Sequence, residues 1–116
     1  MADPTEFYVY FVSWPGNGIV KVGYASHRRA RIARYVSKRG GHLHMIVGFS
    51  THEEAFHREH LALSALRSTW PRRFSSAIEA EPFLGLRGSG WTECLSIPDA
   101  DVDRAALIVK EVLHHG

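Results

Sequence analysis

Two segments of strand-forming residues near the N-terminus are separated by a short cluster of turn residues. Residues 6–14 contain the β-branched and aromatic run Phe-Tyr-Val-Tyr-Phe-Val, and residues 19–24 form a second segment of the same kind. The cluster between them, Pro-Gly-Asn-Gly at residues 15–18, suits a turn with positive φ angles. The pattern therefore predicts an antiparallel β-hairpin.

The next segments alternate between helical and strand patterns. Ser26 is the predicted N-cap of a helix over residues 27–38, which ends at a pair of glycines, and residues 42–49 are a third strand. Thr51 and Glu54 form a capping-box pattern for a second helix over about residues 52–68.

The last third of the chain is less regular. Residues 69–90 contain two prolines and three glycines and are expected to be mostly loop, with at most a short helical turn. Residues 91–97 have the pattern of a short edge strand, and a C-terminal helix is expected from Pro98 to about His114. The whole pattern predicts an α+β fold with a small three-stranded antiparallel sheet flanked by helices. We expect one domain over residues 1–116, with a core at about 6–68 and a C-terminal extension at 69–116.

Composition places few limits on function, but it excludes some classes of protein. No apolar run approaches the roughly 20 residues that span a bilayer, so we expect no membrane partner. The N-terminal residues are acidic and do not have the pattern of a signal peptide. Cys94 is the single cysteine, which excludes an internal disulfide and leads us to expect a cytoplasmic protein.

Positive charge is concentrated in the first half of the chain. Residues 1–50 hold seven Lys and Arg against two Asp and Glu, whereas residues 51–116 hold seven against ten. Six of the cations fall within twelve residues without an acid among them: Arg28, Arg29, Arg31, Arg34, Lys38 and Arg39. Such a stripe is typical of proteins that bind a polyanion such as DNA, and a solvated basic helix face is the alternative.

The hairpin and the helix after it carry three polar side chains at regular separations. Tyr10 and Lys21 lie on neighbouring predicted strands, and Arg31 lies on the first helix. A phenol, an ammonium and a guanidinium in one place are suited to a phosphodiester, whose hydrolysis needs an activated nucleophile and cations against the developing charge. Tyr8 shares a strand face with Tyr10, and Tyr35 follows Arg31 by one helical turn.

Glu59 lies within the apolar stripe of the predicted second helix. The stripe consists of Ala55, Phe56, Ala62, Leu63 and Leu66. A carboxylate facing a core is costly unless it is paired, hydrogen-bonded or bound to a metal. An ion pair with a nearby arginine, or a half-exposed position at the edge of the stripe, is one interpretation, and a ligand for Mg²⁺ is the other.

These residues together resemble the core of the GIY-YIG nuclease family. Tyr10 matches the tyrosine that ends the family's first motif, with Tyr8 where the family has glycine, and Lys21-Val22-Gly23 matches the second motif with lysine in place of tyrosine. Arg31 and Glu59 match the helix arginine and the metal-binding glutamate. The resemblance covers residues 7–63 and is closest to the compact, phage-associated branch. The family's final asparagine has no counterpart, since the one asparagine of the chain lies in the hairpin turn.

The resemblance implies a metal-dependent DNA endonuclease with a one-metal mechanism. Glu59 would hold Mg²⁺ or Mn²⁺, Tyr10 with help from Lys21 would activate a water, and Arg31 would neutralise phosphoryl charge. The expected accessory residues are Tyr8, His27 and Tyr35. The expected contacts with the DNA backbone are Arg28, Arg29, Arg34 and Lys38. The alternatives are a catalytically inactive DNA-binding module of the same fold and a protein-interaction domain, and specificity would come from a homodimer or a protein partner.

Overall fold

The computed structural model of the chain describes residues 7–26 and 30–115, and its fold is α+β, as predicted. The four strands are β1 (Phe7–Trp14), β2 (Ile19–Ser26), β3 (His42–Phe49) and β4 (Cys94–Ser96). The four helices are α1 (Ala30–Lys38), α2 (His52–Arg67), α3 (Ala77–Leu84) and α4 (Val102–His115). Short 3-10 turns at Leu86–Gly88, Trp91–Glu93 and Asp99–Asp101 connect the later elements.

The sheet is antiparallel throughout, with the order β3-β1-β2-β4. The predicted hairpin is confirmed: β1 and β2 pair from Phe7 opposite Ser26 to Trp14 opposite Ile19. The predicted number of three strands is wrong, because residues 94–96 add a fourth strand beside the first three residues of β2. The burial of Cys94 and Leu95 stabilises this strand, which covers part of the edge of the sheet.

The segment before β4 is more regular than its prolines and glycines indicate. Helix α3 has eight residues, begins after an N-cap at Ser76 and contains Pro82. In so short a helix, the N–H that a proline lacks removes only one backbone hydrogen bond. The helix ends at Gly85, whose φ of 66° is the conformation that favours glycine.

Caps are predicted at the starts of both α1 and α2. At the start of α2 the Thr51 hydroxyl accepts a hydrogen bond from the Glu54 N–H at 3.2 Å, so the predicted cap is confirmed. Ser26 is the last residue of β2, and its predicted role as an N-cap depends on residues that the structure does not describe. The predicted first turn of α1, residues 27–29, lies outside the described residues.

The two faces of the sheet carry separate apolar clusters because successive strand residues point in opposite directions. Val9, Phe11 and Val22 pack under α2 and α4, whereas Tyr10 and Val12 pack under α1 and α3. Within residues 7–26 and 30–115, no helix has the length and apolar character needed to cross a membrane. Since β4 pairs with β2 only as far as Lys21, the rest of that edge has no strand neighbour in the described part of the chain. Side chains from the two faces can meet at this open edge.

Candidate active site

Lys21 is a buried cation in the second strand of the hairpin. Its side chain is completely buried, and its Nζ donates a hydrogen bond to Oε1 of Glu93 at 2.8 Å. The ammonium also lies 5.2 Å from the ring centre of Tyr10 and 5.8 Å from that of Tyr35. Burial by itself would lower the pKa of Lys21, but the neighbouring phenol of Tyr10 and the carboxylate of Glu93 outweigh it and raise that pKa above its usual range. Lys21 is therefore a fixed positive charge.

Two tyrosines enclose this ammonium. The rings of Tyr10 and Tyr35 are 6.1 Å apart and tilted by 45°, and both residues are completely buried. Burial raises the pKa of Tyr35, an effect that the charge of Lys21 opposes. Neither hydroxyl has a hydrogen-bond partner of ordinary geometry among the residues described. Buried polar groups without partners are rare because they cost free energy, and they are often found at functional sites.

Gly23 makes this arrangement possible. It lies opposite Tyr10 in the hairpin, and a Cβ at this position would be 2.3 Å from the Tyr10 hydroxyl oxygen and 2.6 Å from Lys21 Nζ. Those separations are much shorter than any real contact, so only glycine leaves room for the phenol and the ammonium to meet above the backbone.

Glu59 is the buried carboxylate of the site. It is 3% exposed, as its place in the apolar stripe of α2 predicts. Burial, and next the charge of Glu93, raise the pKa of Glu59 to about 7, although the charge of Lys21 opposes this shift. Among the described residues, the side chain at ion-pair distance from Glu59 is that of His60, whose Nδ1 lies 3.8 Å from Oε1, and no arginine lies at that distance.

Glu93 belongs to the site, although no sequence pattern assigned it there. It ends the short turn before β4, and 26% of its side chain is exposed. It hydrogen-bonds Lys21 and also interacts with Glu59, so it joins the ammonium to the buried carboxylate. Glu93 is separated from Lys21 by 72 residues. One signal was available: it is the single acidic residue between Glu81 and Asp99, directly before an edge strand.

The raised pKa of Glu59 gives the stability of the protein a defined dependence on pH. The folded state keeps a proton that the unfolded state releases between about pH 4.5 and 7, so stability should fall as the pH rises through this range. We expect metal-free protein to lose about 2–3 kcal/mol of unfolding free energy between pH 5 and pH 8, since one pKa unit corresponds to about 1.4 kcal/mol. Urea unfolding of the wild type and of Glu59→Gln at both pH values measures this loss, and equal pH dependence in the two proteins would contradict it.

A cleft of about 380 Å³ lies beside these residues. Arg31 and Arg34 line one side of it, and Tyr24 and Leu86 contribute to its other walls. The cleft is close to the buried groups, because the charge of Arg31 acts on the pKa of Tyr35. Burial and the charge of Glu59 likewise raise the pKa of Tyr24. The cleft thus presents two guanidinium groups next to the tyrosine, ammonium and carboxylate cluster.

Five predicted site residues remain, and two of them lie among the described residues. Lys38 is exposed in the last turn of α1, where the helix dipole favours a cation, and it is not among the residues that line the cleft. Tyr8 is partly buried in β1, two residues before Tyr10. His27, Arg28 and Arg29 lie outside the described residues. The structure thus brings together Tyr10, Lys21, Tyr35 and Glu59, adds Glu93 to them, and places Arg31 and Arg34 in the cleft beside them.

The donor atoms present suit a hard divalent cation. In the ranges 7–26 and 30–115, no three His, Cys, Asp or Glu side chains are grouped to hold a metal ion. Mg²⁺ does not require such a group, because it commonly binds one or two carboxylates and completes its shell with water and substrate phosphate. Glu59, with Glu93 beside it, fits that requirement.

Comparison of the chain with protein-family models, with curated proteins and with solved structures gave no significant match. The function is therefore inferred from the residues of the site and their surroundings.

Proposed function

We propose that this protein is a metal-dependent DNA endonuclease that hydrolyses phosphodiester bonds, of the GIY-YIG type. One observation carries the proposal. A buried carboxylate with a pKa of about 7 lies within electrostatic reach of a fully buried ammonium, and the Tyr35 ring beside that ammonium is within electrostatic reach of Arg31, which lines a cleft. Burial of opposite charges is costly and contributes little net stability, so a functional reason for keeping them is favoured.

The side chains have complementary roles in this proposal. Glu59 would hold Mg²⁺ or Mn²⁺, which when bound supplies Lewis-acid stabilisation of charge on the phosphoryl and leaving oxygens. Tyr10 would act as a phenolate, its charge balanced by the ammonium of Lys21, and would accept a proton from the attacking water to become the neutral phenol. Arg31 and Arg34 would bind phosphate oxygens from the cleft and hold the strand in place.

Glu93 would be the group that a substrate phosphate displaces. It is the more exposed partner in the pair with Lys21, so it can turn outward while the ammonium stays buried. A phosphate oxygen would then accept the hydrogen bond that Glu93 accepts in this structure. This exchange keeps Lys21 paired at every stage, and it admits the substrate to a site that is otherwise covered.

Replacing Tyr10 with phenylalanine separates the proposed chemistry from the fold. The hydroxyl has no hydrogen-bond partner of ordinary geometry in the described structure, so its removal should leave the free energy of unfolding unchanged within about 1 kcal/mol. Nicking of a supercoiled plasmid in Mn²⁺ should slow by about a hundredfold or more, the usual contribution of a general base. The products should carry a 5′ phosphate and a 3′ hydroxyl. A Tyr10→Phe protein that nicks at the wild-type rate would contradict the role given to Tyr10.

A second candidate is a DNA-binding module of the same fold without turnover. The complete burial of Tyr10 and Lys21 favours it, as does the pairing of Lys21 with Glu93. It predicts a wild-type protein that binds DNA and does not cut it with any divalent metal. The same plasmid assay distinguishes the two candidates.

A further inference from the structure

Five aromatic rings lie in contact with one another along the start of β1, the end of β2 and the first half of α2. The rings of Phe7 and Tyr24 are stacked at 6.1 Å, and the ring of His52 meets both edge-on, at 6.0 and 5.0 Å. Phe56 is stacked on His52 at 5.7 Å and lies 4.2 Å from His60. We name this set the ring ladder; its members are Phe7, Tyr24, His52, Phe56 and His60.

The ring ladder lies on the surface. At the centre of its α2 portion is Phe56, an apolar residue in a solvent-exposed position. The apolar stripe of α2 predicts that Phe56 is buried, but it is 48% exposed. It lies between His52 and His60, which are also exposed, with 58% of the His60 side chain open to solvent. The expectation of burial is wrong because Phe56 follows Ala55, which takes the inward position at this point of the helix. The result is a row of rings that is exposed along α2 and partly buried at Phe7 and Tyr24.

The ring ladder connects the two parts of the candidate active site. At one end Tyr24 also lines the arginine-containing cleft. At the other end His60 lies within 3.8 Å of the Glu59 carboxylate. A chain that lies along the ladder would therefore have its phosphates near Arg31 and Arg34 and would pass beside Glu59.

We infer that the ring ladder stacks unpaired bases, so that the substrate is single-stranded DNA or the unpaired strand of a branched DNA. This inference rests on the proposed nuclease function and names its substrate class. Every base has a flat π face, and rows of aromatic side chains beside a basic groove are the usual way to bind single strands without reading sequence. A duplex offers no free base faces.

Binding of fluorescein-labelled oligonucleotides in chelator tests the inference through Phe56. Wild-type protein should bind an oligothymidylate more tightly than a duplex of equal length. Phe56→Ala should weaken single-strand binding about tenfold and leave duplex binding unchanged. Phe56→Leu should lose most of the same affinity, because it keeps apolar area without a flat ring. Ile78→Ala is the control, since it removes an even more exposed apolar side chain from α3 and should change neither affinity.

A second readout reports stacking directly. 2-Aminopurine in the single strand loses fluorescence when it stacks, and this quenching should be smaller with Phe56→Ala than with the wild type. The inference is overturned if Phe56→Ala binds the single strand as tightly as the wild type, if both substrates are weakened equally, or if the wild type prefers duplex.

These outcomes are independent of the proposed catalysis. Because binding is measured without metal, a protein that shows the Phe56-dependent preference but never cuts DNA would support the ring ladder and contradict the nuclease. A protein that cuts duplex DNA in Mn²⁺ without any effect of Phe56 would support the nuclease and contradict the ring ladder.

Discussion

Replacing Glu59 with glutamine is expected to abolish metal-dependent DNA cleavage and, in the same protein, to raise the free energy of unfolding above pH 7. Glutamine has nearly the same shape but carries no charge, so it cannot act as an anionic metal ligand. Loss of several kcal/mol of transition-state stabilisation corresponds to at least about a thousandfold slower cleavage. The stability should change in the opposite direction, by about 2–3 kcal/mol at pH 8, because the ionised carboxylate is buried at a cost that the neutral amide avoids.

Plasmid nicking in Mn²⁺ and urea unfolding in chelator measure the two effects. Glu53→Gln is a suitable control, since it makes the same chemical change at an exposed position on the same helix. It should leave the cleavage rate unchanged and alter stability by no more than about 1 kcal/mol through the helix dipole. Opposite signs for stability and activity are typical of a residue kept for function. Glu59→Gln protein that is less stable and equally active would instead indicate a purely structural residue.

Replacing Lys21 with methionine is expected to destabilise the protein by about 3–5 kcal/mol. Methionine fills a similar volume, so the loss comes mainly from electrostatics. The variant leaves Glu93 without its hydrogen-bond donor and removes the positive charge that opposes the raised pKa of Glu59. Cleavage should be lost as well, because Tyr10 and the substrate phosphate would no longer face an ammonium.

A double-mutant cycle keeps this prediction testable even if Lys21→Met folds poorly. Glu93→Gln removes the carboxylate from the same pair, and the double variant Lys21→Met/Glu93→Gln should recover part of the lost stability, because no unpaired charge remains at Glu93. Additive effects of the two substitutions on the urea midpoint would show that the pair does not interact. Cleavage should stay absent in the double variant, which separates the catalytic need for Lys21 from its effect on the fold.

The elements that the sequence predicts well are those determined by local patterns. The β1–β2 hairpin, β3 and the start of α2 depend on residue alternation, a turn cluster and the Thr51–Glu54 cap, all within a few residues of one another. The pattern at residues 91–97 predicts a short edge strand, and β4 lies within that range, but local sequence does not show that it pairs with β2 and so gives the sheet a fourth strand. Helix α3 forms although it contains Pro82, a residue that usually ends a helix. The cap at Ser76 and the burial of Ala80 and Leu84 stabilise it.

The residues of the candidate site likewise divide into those that local patterns predict and those that depend on the tertiary fold. The burial of Glu59 follows from helical periodicity, and the meeting of Tyr10 and Lys21 follows from the hairpin register. Glu93 reaches them from a turn 72 residues after Lys21, a contact that depends on the tertiary fold. Phe56 lies next to the buried stripe of α2, and a periodic pattern defines the border of such a stripe only within about one residue.

The most direct test is the rate at which the wild-type protein cuts circular single-stranded DNA and nicks a supercoiled plasmid, each measured in chelator and again after excess Mn²⁺ is added back to the same sample. We expect no cleavage in chelator and full recovery with Mn²⁺, because Glu59 alone cannot stabilise the charge that develops on the leaving oxygen. Wild-type protein that binds these DNAs but leaves both intact in Mg²⁺ and in Mn²⁺, or that cuts them equally fast in chelator, would contradict the proposed metal-dependent nuclease.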